Sequence, residues 1–395
     1  MGHLAPMTLD EVITTVQAIR GLFAPRARLS AEEIGDGNMN FVFRVMDAVS
    51  GRGVIVKHTP PYMRSVGPDW PLTADRLRVE HAALMVQGQV DGARVPKVYH
   101  FDGARALLVM ENLAGHQVLR TTLIRGESLP RWPRHLGEFL ARMLWKTSTL
   151  TLDAETVDRL RHQFANADLV RITSDFVLTY PFGPHAMNRF SAALGTSVQE
   201  MWTNARVGRE VAELRTRFHT ERQALIHGDL HTGSIMVTPQ DTRVIDGEFA
   251  CYGPMGFDLG LLVGHLVLQW CVRAGAPQDG HDRTYGDQLL SQVEELWRAF
   301  TEEWQVLASG DRTPGMAPLD AALQQIWEDT VGFAGCEIIR RIVGTSHAPD
   351  VEHLPEGRRA TVEALALAVG QRLIVRRREV DTWGELWDAI RTVPH

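Results

Sequence analysis

The sequence has 395 residues, 44% of them hydrophobic, which is long enough for two lobes with separate hydrophobic cores. Its 41 Lys and Arg against 48 Asp and Glu give a formal net charge of −7, which argues against a nucleic-acid-binding protein that depends on a general basic surface. The three cysteines suit neither a disulfide framework nor a zinc site, and no apolar stretch approaches the roughly 18 residues of a membrane span. We therefore expect a cytoplasmic protein with neither nucleic acid nor membrane as a partner.

The N-terminal region is predicted to form a small antiparallel sheet preceded by a helix. Apolar residues recur with a helical period over residues 8–23, with Thr8 as the N-cap. The alternating run 41–45 and the apolar run 54–57 flank a glycine-bearing turn, a pattern typical of paired antiparallel strands. The remaining strands of this sheet are predicted at 96–101 and 106–110.

A glycine-bearing loop precedes the first of these paired strands. Gly35 and Gly37 allow the backbone to approach a triphosphate closely, and the Asp36, Asn38 and Asn40 side chains suit unusual backbone angles. The loop lacks the ending of a Walker A motif, and Asn40 stands where protein kinases have a third glycine. Taken alone, this loop is more often a simple β-turn; together with the rest of the site it predicts a nucleotide-binding loop.

Lys57 ends a strand of Val-Ile-Val, an apolar setting in which an unpaired ammonium is costly. In a kinase, such a lysine binds the α- and β-phosphates of ATP and a carboxylate from the following helix. The candidate carboxylate is Glu80, in a helix predicted at 73–87. The alternative is a lysine that reaches solvent from the strand end.

Two connecting segments are predicted to line the ligand site. The segment 59–72 is a long loop rich in Pro and Gly, and Trp70 within it either caps a pocket or pins the loop to the surface. The strand 106–110 runs into a polar connector with the features of a hinge between lobes, whose backbone groups suit an adenine edge. We assign Glu111 and Leu113 in that connector to nucleotide binding.

The rest of the chain is predicted to be mainly helical, which gives an α+β class with an N-terminal lobe over 1–112 and a C-terminal lobe over 113–395. The predicted helices are 136–150, 197–218, 259–274, 288–307, 319–344 and 358–379.

Two short apolar runs in the C-terminal lobe each lead directly into an acid. Asp229 follows the run 224–226, and Asp246 follows Val-Ile. Two rigidly held acids suit phosphoryl transfer, in which one orients the acceptor hydroxyl and the other holds Mg²⁺. Glu248 is close enough in sequence to reach the same cation. Each acid alone is as often an ordinary turn residue, but their joint occurrence with an upstream lysine favours a kinase site. His227 is expected to bond backbone rather than substrate.

Arg340 and Arg341 lie in a predicted helix that is otherwise rich in apolar residues. Adjacent helical residues point about 100° apart, so a buried helix would leave at least one arginine in need of a carboxylate or phosphate. Periodicity alone slightly favours the alternative, a half-exposed helix with surface arginines.

Several of these segments together resemble the methylthioribose kinase family. The resemblance rests on HGDLHTGS at 227–234, the acids Asp246 and Glu248 with the following FAxYGPMGFD, GDGNxNFVF at 35–43, and GPxWPLT at 67–73. Ser234 stands where protein kinases and most aminoglycoside phosphotransferases place a metal-binding asparagine, which points to this branch. Gly247 departs from the pattern, which has proline between the two acids.

The resemblance implies a two-lobed, protein-kinase-like fold, a homodimer, and transfer of the ATP γ-phosphate to the 1-hydroxyl of 5-methylthioribose, a step of methionine salvage. It implies ATP and Mg²⁺ as cofactors. The residues it assigns are Asp229 for catalysis, Asp246 and Glu248 for the metal, Lys57 for phosphates, and Arg340 and Arg341 for the sugar and transfer site.

Two alternatives remain open. One is a phosphotransferase of the same fold that acts on another small sugar, such as 5-deoxyribose, or on an antibiotic hydroxyl. The other is a nucleotide-binding pseudokinase, against which the joint presence of Lys57, Asp229 and Asp246 argues.

Overall fold

The structure, a computed structural model, describes residues 6–34, 39–275, 280–310 and 319–393. The N-terminal elements are α1 (Leu9–Ala18), β1 (Leu29–Glu33), β2 (Phe41–Asp47), β3 (Gly53–His58), β4 (Tyr62–Met63), β5 (Gly67–Pro71), α2 (Arg76–Asp91), β6 (Val98–Asp102) and β7 (Leu107–Glu111). They are followed by β8 (Gln117–Val118), α3 (Leu119–Ile124), α4 (Trp132–Lys146), α5 (Ala154–Gln163), α6 (Ala167–Leu178), α7 (Gly195–Thr203), α8 (Ala205–Thr220), β9 (Ala224–Ile226), β10 (Ile235–Val237), β11 (Thr242–Val244), β12 (Cys251–Gly253), α9 (Gly256–Trp270), α10 (Gly280–Gly310), α11 (Leu319–Val343), α12 (Pro349–Glu352), α13 (Glu356–Arg376) and α14 (Trp383–Arg391).

The N-terminal lobe is built on an antiparallel sheet with the strand order β1-β2-β3-β7-β6. Because side chains alternate along each strand, one face of the sheet packs on α1 while the other faces α2. The predicted N-cap Thr8 is confirmed, since its hydroxyl accepts from the Glu11 N–H at 3.3 Å. The small core under α1 contains Val12, Val16, Phe43, Val45, Val54, Val56, Leu107 and Val109.

Two sequence predictions differ from the structure, one in the N-terminal lobe and one in the C-terminal lobe. The segment 59–72 is not an open loop, because β4 and β5 pair as a short antiparallel hairpin. The helix predicted at 197–218 is two helices, α7 and α8, interrupted at Asn204. Its side-chain oxygen accepts from the Arg206 and Val207 N–H groups, so it caps α8. An asparagine cap supplies a partner for N–H groups that a continuous helix would bond internally.

The C-terminal lobe positions the acid-bearing turns against a buried helix. Every residue of α9 is buried, and its glycines Gly256, Gly260 and Gly264 recur every four residues on the side that meets α11. A side chain at any of them would overlap α11, so the two helices pack closely. Strand β9 pairs with β12, and β10 pairs with both β8 and β11.

The link between the lobes runs from β7 to β8. Strand β7 belongs to the N-terminal sheet, while β8 already pairs with β10 of the C-terminal lobe. The predicted division between residues 112 and 113 lies in this link. Within the described ranges, no helix combines the length and apolar content that crossing a membrane requires.

Candidate active site

The two acid-bearing turns are tied together by buried hydrogen bonds. Asp258, at the start of α9, accepts from the N–H groups of His227 and Gly228 at 2.6 and 3.0 Å. The His227 ring bonds through Nε2 to the Ile245 carbonyl at 2.8 Å, and its Nδ1 accepts from the Asp229 N–H at 3.3 Å. His227 is therefore confirmed as a residue that bonds backbone. It holds the turn before Asp229 against the strand end before the second acid.

Gly228 offers a test of how tightly this turn is held. Its φ of +83° is unfavourable for other residues, and a Cβ there would overlap the carbonyl of Phe249. We expect Gly228→Ala to lower the free energy of unfolding by at least about 1–3 kcal/mol, measured by chemical denaturation. The matched control is Gly208→Ala in α8, where a Cβ meets nothing within 4 Å and a gain of about 0.4–1 kcal/mol is expected. Equal stabilities of the two variants would contradict the rigid turn.

Lys57 forms the pair that its sequence context predicts. Its Nζ lies 2.8 Å from Glu80 of α2 and 2.9 Å from Oδ1 of Asp246. Burial opposes the ammonium charge, but Asp246 and Glu80 outweigh it and raise the pKa of Lys57 above its usual value. Burial also raises the pKa of Glu80, against the effect of Lys57. Lys57 thus joins the N-terminal sheet, α2 and the second acid.

Asp246 is the most exposed member of this group of three. Its side chain is 48% exposed, whereas Lys57 and Glu80 are buried at 4% and 1%. Its φ of +64° places it in the left-handed region, a strained conformation that directs the carboxylate out of the strand. Desolvation would raise the pKa of Asp246, but Lys57 overcomes this and holds the pKa below its usual value. Asp246 is therefore ionised and accessible.

Glu248 makes different contacts from those of Asp246. Its Oε2 accepts from the Asn40 amide at 2.6 Å and lies 3.7 Å from Nε of Arg76, which is fully buried. Arg76 in turn donates to the Asn40 side-chain oxygen at 3.2 Å. Asn40, predicted for the nucleotide loop, has both side-chain amide atoms on protein partners. These three residues join the N-terminal lobe to the turn that carries Asp246 and Glu248.

The site fits Mg²⁺ only together with further oxygen ligands. Among the described residues, no three His, Cys, Asp or Glu side chains are grouped so that they could hold a metal ion. Mg²⁺ commonly binds one or two carboxylates together with phosphate oxygens and water. Asp246, ionised and half exposed, suits such a partial site. Glu248 is the nearest acid in sequence, and its Oε2 is already bonded.

The other residues predicted to bind nucleotide are placed as follows. Gly35, Asp36, Gly37 and Asn38 lie outside the described residues. Glu111 ends β7, and its carboxylate accepts from the Lys97 N–H at 3.1 Å. The Leu113 carbonyl accepts from the His116 N–H at 3.1 Å, which closes a turn in the link between the lobes.

Trp70 reaches from the N-terminal hairpin to the C-terminal lobe. Its half-buried ring meets Phe176 of α6 edge-on, with ring centroids 6.4 Å apart. Phe176 contacts Tyr180 at 5.3 Å, and Tyr180 stacks on His185 at 3.6 Å. Of the two sequence readings for Trp70, this contact supports the one in which it pins its segment, here by holding β4 and β5 against α6.

Asp229 is flanked by a cation and a neutral imidazole. Arg340 Nη2 lies 3.3 Å from Oδ1, and His231 Nε2 lies 3.6 Å from Oδ2. The His231 Nδ1 accepts from the Gly233 N–H at 3.0 Å, which assigns the ring proton to Nε2. Burial and the nearby Arg120 hold the pKa of His231 well below its usual value. The His231 ring is therefore neutral, and its Nε2–H faces the Asp229 carboxylate.

Glu337 organises the twin arginines. Its carboxylate accepts from Nε of Arg340 at 2.6 Å, from Nε of Arg341 at 2.8 Å and from the His265 ring at 2.9 Å. Burial lowers the pKa of His265 to about 3 despite this bond, so its imidazole is neutral. Both arginines are buried, and the half-exposed helix that periodicity favours is wrong. The two cations share one carboxylate.

Comparison with known proteins agrees with this arrangement. Residues 30–308 match the phosphotransferase enzyme family. A methylthioribose kinase of Geobacillus thermodenitrificans (strain NG80-2) is 41% identical over 379 residues, 94% of each chain. One of Klebsiella pneumoniae (strain 342) is 36% identical over 399 residues, 99% of each chain. The chain belongs to the methylthioribose kinase family.

The fold is accordingly the two-lobed, protein-kinase-like α+β fold that the sequence predicts. A solved glucosamine kinase in complex with glucosamine, ADP and inorganic phosphate is 15% identical, with a TM-score of 0.48 over 90% of this chain and 84% of that one.

The structure shows the surroundings of two positions that matter in the methylthioribose kinase family pattern. The Ser234 hydroxyl is buried and lies 3.1 Å from both the Asp229 carbonyl and the His231 Nδ1, so it bonds the turn that carries Asp229. A Cβ at Gly247 would lie 3.3 Å from the Cβ of Ala83 in α2. The departure at Gly247 therefore lies where the turn with Asp246 and Glu248 packs on α2 of the N-terminal lobe.

Sequence reasoning missed four residues of this site. Arg76, Arg120, His265 and Glu337 all lie within helices, where a charged residue at one position resembles any surface residue. The available signal for Glu337 was its spacing of three and four residues from the twin arginines, which places all three on neighbouring faces of one helix.

Proposed function

We propose that the protein is an ATP-dependent kinase that transfers the γ-phosphate to the 1-hydroxyl of 5-methylthioribose, a step of methionine salvage. The observation that carries this proposal is the match, over 94% of each chain, to a relative named methylthioribose kinase. The site geometry supplies the chemistry for such a transfer: one acid beside a buried arginine pair, and a second acid beside a buried lysine.

Asp229 acts at the acceptor. It accepts the proton of the 1-hydroxyl as the hydroxyl oxygen bonds to the γ-phosphorus and the bond to the bridging oxygen of ADP breaks. The Arg340 guanidinium holds one oxygen of the carboxylate, and the neutral His231 ring lies 3.6 Å from the other. Arg340 and Arg341 bind the sugar and the transferred group. In phosphoryl transfer, such positioning and charge neutralisation account for most of the catalysis.

Lys57 and Asp246 act at the donor. Lys57 binds oxygens of the α- and β-phosphates and is itself positioned by Glu80. Asp246, with Glu248 as a second ligand, would hold Mg²⁺, which would supply charge neutralisation at the phosphate oxygens.

The remaining residues complete the nucleotide site. We assign Gly35, Asp36, Gly37, Asn38 and Asn40 to phosphate binding. Glu111 and Leu113 present backbone groups to the adenine.

Replacing the lysine tests the donor site. We expect Lys57→Met to lower kcat/KM for ATP by about 10²- to 10³-fold, because it removes a preorganised charge from the developing phosphate charge. Glu80 is then buried without its cation, so the melting temperature falls as well. The matched control is Lys97→Met in the same lobe, where the ammonium lies over the Tyr99 ring and near-native kinetics are expected. A native kcat/KM for Lys57→Met would contradict the assignment.

The substrate is tested with purified protein, ATP and a panel of 5-methylthioribose, 5-deoxyribose, ribose and aminoglycosides. The proposal requires the highest kcat/KM for 5-methylthioribose and a product that phosphorus NMR identifies as the 1-phosphate. A higher value for another sugar or an antibiotic would establish the rival phosphotransferase. Nucleotide binding without turnover of any acceptor would establish the pseudokinase.

We further propose a homodimer in the cytoplasm. The proposal of a homodimer rests on membership of the methylthioribose kinase family. The compartment is supported by Cys251, Cys271 and Cys336, which are all buried and free, as thiols in a reducing environment are. Light scattering of the purified protein tests the homodimer, and the mass of a monomer would refute it.

A further inference from the structure

Helix α9 holds the segment 227–232, which carries Asp229, at two points. Asp258, in the first turn of the helix, accepts from the first two N–H groups of this segment at 2.6 and 3.0 Å. His265 lies seven residues farther along, which is two helical turns, or about 10.5 Å, on the same face. Its Nδ1 lies 3.3 Å from the hydroxyl of Thr232. The helix is therefore attached to both ends of the segment.

The other ring nitrogen of His265 connects this segment to α11. Nε2 lies 2.9 Å from a carboxylate oxygen of Glu337, and the side chains of His265 and Glu337 are 2% and 0% exposed. Glu337 also accepts from Nε of Arg340 at 2.6 Å, and Nη2 of Arg340 donates to Asp229 at 3.3 Å. These contacts form a closed ring, which leaves the segment at Thr232 and returns to it at Asp229.

The protonation state of His265 gives each of its two contacts a direction. Despite burial, two arginines hold the pKa of Glu337 well below its usual value, so its oxygen is an acceptor and Nε2 of His265 carries the proton. Burial lowers the pKa of His265 to about 3, so Nδ1 is unprotonated and accepts from the Thr232 hydroxyl. A neutral imidazole therefore joins the two partners through one rigid ring, accepting on one side and donating on the other.

Gly264 lets α9 and α11 come close enough for this connection. A Cβ at Gly264 would lie 2.9 Å from the Cβ of Glu337 and 2.8 Å from the carbonyl oxygen of Ala334. A larger residue there would move α11 away from α9, and with it the carboxylate that His265 bonds. Close helix packing and one buried imidazole together set the distance between Glu337 and Thr232.

Stability alone does not require a histidine at this place in α9. The neighbouring positions of the helix are apolar, with Val263, Leu266 and Val267 all buried. A buried imidazole loses its hydration and needs hydrogen-bond partners in return, whereas an apolar side chain of similar size needs none. What His265 adds over an apolar residue is the geometry that its two hydrogen bonds impose.

We propose that His265 is a positioning residue for phosphoryl transfer, a role that rests on the proposed function. It acts through Glu337, which fixes the Arg340 guanidinium beside the Asp229 carboxylate. Because Thr232 and Asp229 belong to one segment, the ring fixes the arginine and the base relative to each other. A misplacement of about 1 Å in such an arrangement costs as much as about 100-fold in rate. In this role His265 contacts neither the acceptor nor the nucleotide.

The test begins with His265→Leu, which removes both contacts of the imidazole. Steady-state kinetics are measured with 5-methylthioribose and ATP. We expect kcat to fall about 10- to 30-fold, because Arg340 loses its fixed place beside Asp229. The KM for ATP should stay within about 2-fold of the wild-type value, since the ring includes none of the residues proposed to bind the nucleotide.

Two further substitutions each break only the contact between His265 and Thr232. In His265→Gln, the side-chain amide still offers an N–H to Glu337, and in Thr232→Val the side chain keeps its shape without the hydroxyl. Each should lower kcat about 2- to 5-fold, the effect of one neutral hydrogen bond. The double variant should show no further loss, because both substitutions remove the same contact.

The matched control is His135→Leu. His135 is another histidine in a helix, and its Nδ1 lies 3.1 Å from the hydroxyl of Thr242 in β11. This variant should lose stability but keep the wild-type kcat at temperatures where it is folded. Melting temperatures define that range for every variant. If His265→Leu does not fold, then His265→Gln, Thr232→Val and their combination decide the question.

Three results would overturn the proposal. A wild-type kcat in folded His265→Leu would show that the histidine only stabilises the helix packing. Losses in His265→Gln and Thr232→Val that multiply in the double variant would show that the two residues act separately. If the wild type does not phosphorylate 5-methylthioribose, the proposed function fails and the positioning role fails with it. That case is recognised in the wild type alone, before any variant is measured.

Discussion

Asp229→Asn is expected to lower kcat by about 10²- to 10⁴-fold, because asparagine cannot accept the proton of the acceptor hydroxyl. The amide keeps the shape of the side chain, and its oxygen can still accept from Arg340, which lies 3.3 Å from Oδ1. The positions of the catalytic turn and the twin arginines should therefore be preserved. Steady-state kinetics with saturating sugar and ATP give the effect on kcat, and titration with a non-hydrolysable ATP analogue should give the wild-type affinity.

The control for this substitution is Asp153→Asn. Asp153 caps α5, where its side chain accepts from the Thr156 N–H, and asparagine caps helices equally well. This variant should match the wild type in kcat and melting temperature. If Asp229→Asn kept the wild-type kcat, Asp229 would not be the residue that accepts the proton.

The sequence could predict the parts of the site that depend on local pattern. The pair of Lys57 and Glu80 follows from a lysine in an apolar strand and a helix after it, because a buried ammonium has few ways to be stabilised. The acids Asp229 and Asp246 follow from strand ends, where a turn holds one side chain still. These inferences need only the chemistry of neighbouring residues along the chain.

Contacts between distant segments could not be predicted in this way. The amide of Asn40 meets Glu248, 208 positions later, and Arg76 is buried against both. No local pattern separates Arg76 from an exposed arginine at the start of a helix. The twin arginines show the same limit, because periodicity counts them as polar and favours an exposed face. The buried Glu337 and the neutral His265 of α9 reverse that preference through tertiary contacts.

Secondary structure shows a related limit at element boundaries. A periodic pattern persists across Asn204, yet the side chain there bonds two N–H groups and starts a new helix. The hairpin of β4 and β5 has only short strands, so its sequence reads as a loop rich in turn residues. In both cases, a few hydrogen bonds determine which of two conformations the segment adopts.

Glu337→Gln is expected to lower the free energy of unfolding by about 3–5 kcal/mol, because it leaves the buried Arg340 and Arg341 without their shared carboxylate. Burial would raise the pKa of Glu337, but the two arginines hold it well below its usual value, so the carboxylate is ionised in the wild type. Since Arg340 also contacts Asp229, the loss of its anchor should lower kcat about 10- to 100-fold. Chemical denaturation and steady-state kinetics measure the two effects.

Asp329→Asn separates the catalytic effect from the loss of stability. Asp329 is equally buried and pairs with Arg217 of α8 at 2.8 Å, and not with the twin arginines. Its replacement removes the closer of the two carboxylates that pair with Arg217, so a fall in stability is expected, but kcat should stay near the wild-type value at temperatures where the variant is folded. If Glu337→Gln retains the wild-type kcat under those conditions, Glu337 stabilises the fold without positioning Arg340. If it loses no stability either, the shared carboxylate does not hold the two arginines in solution.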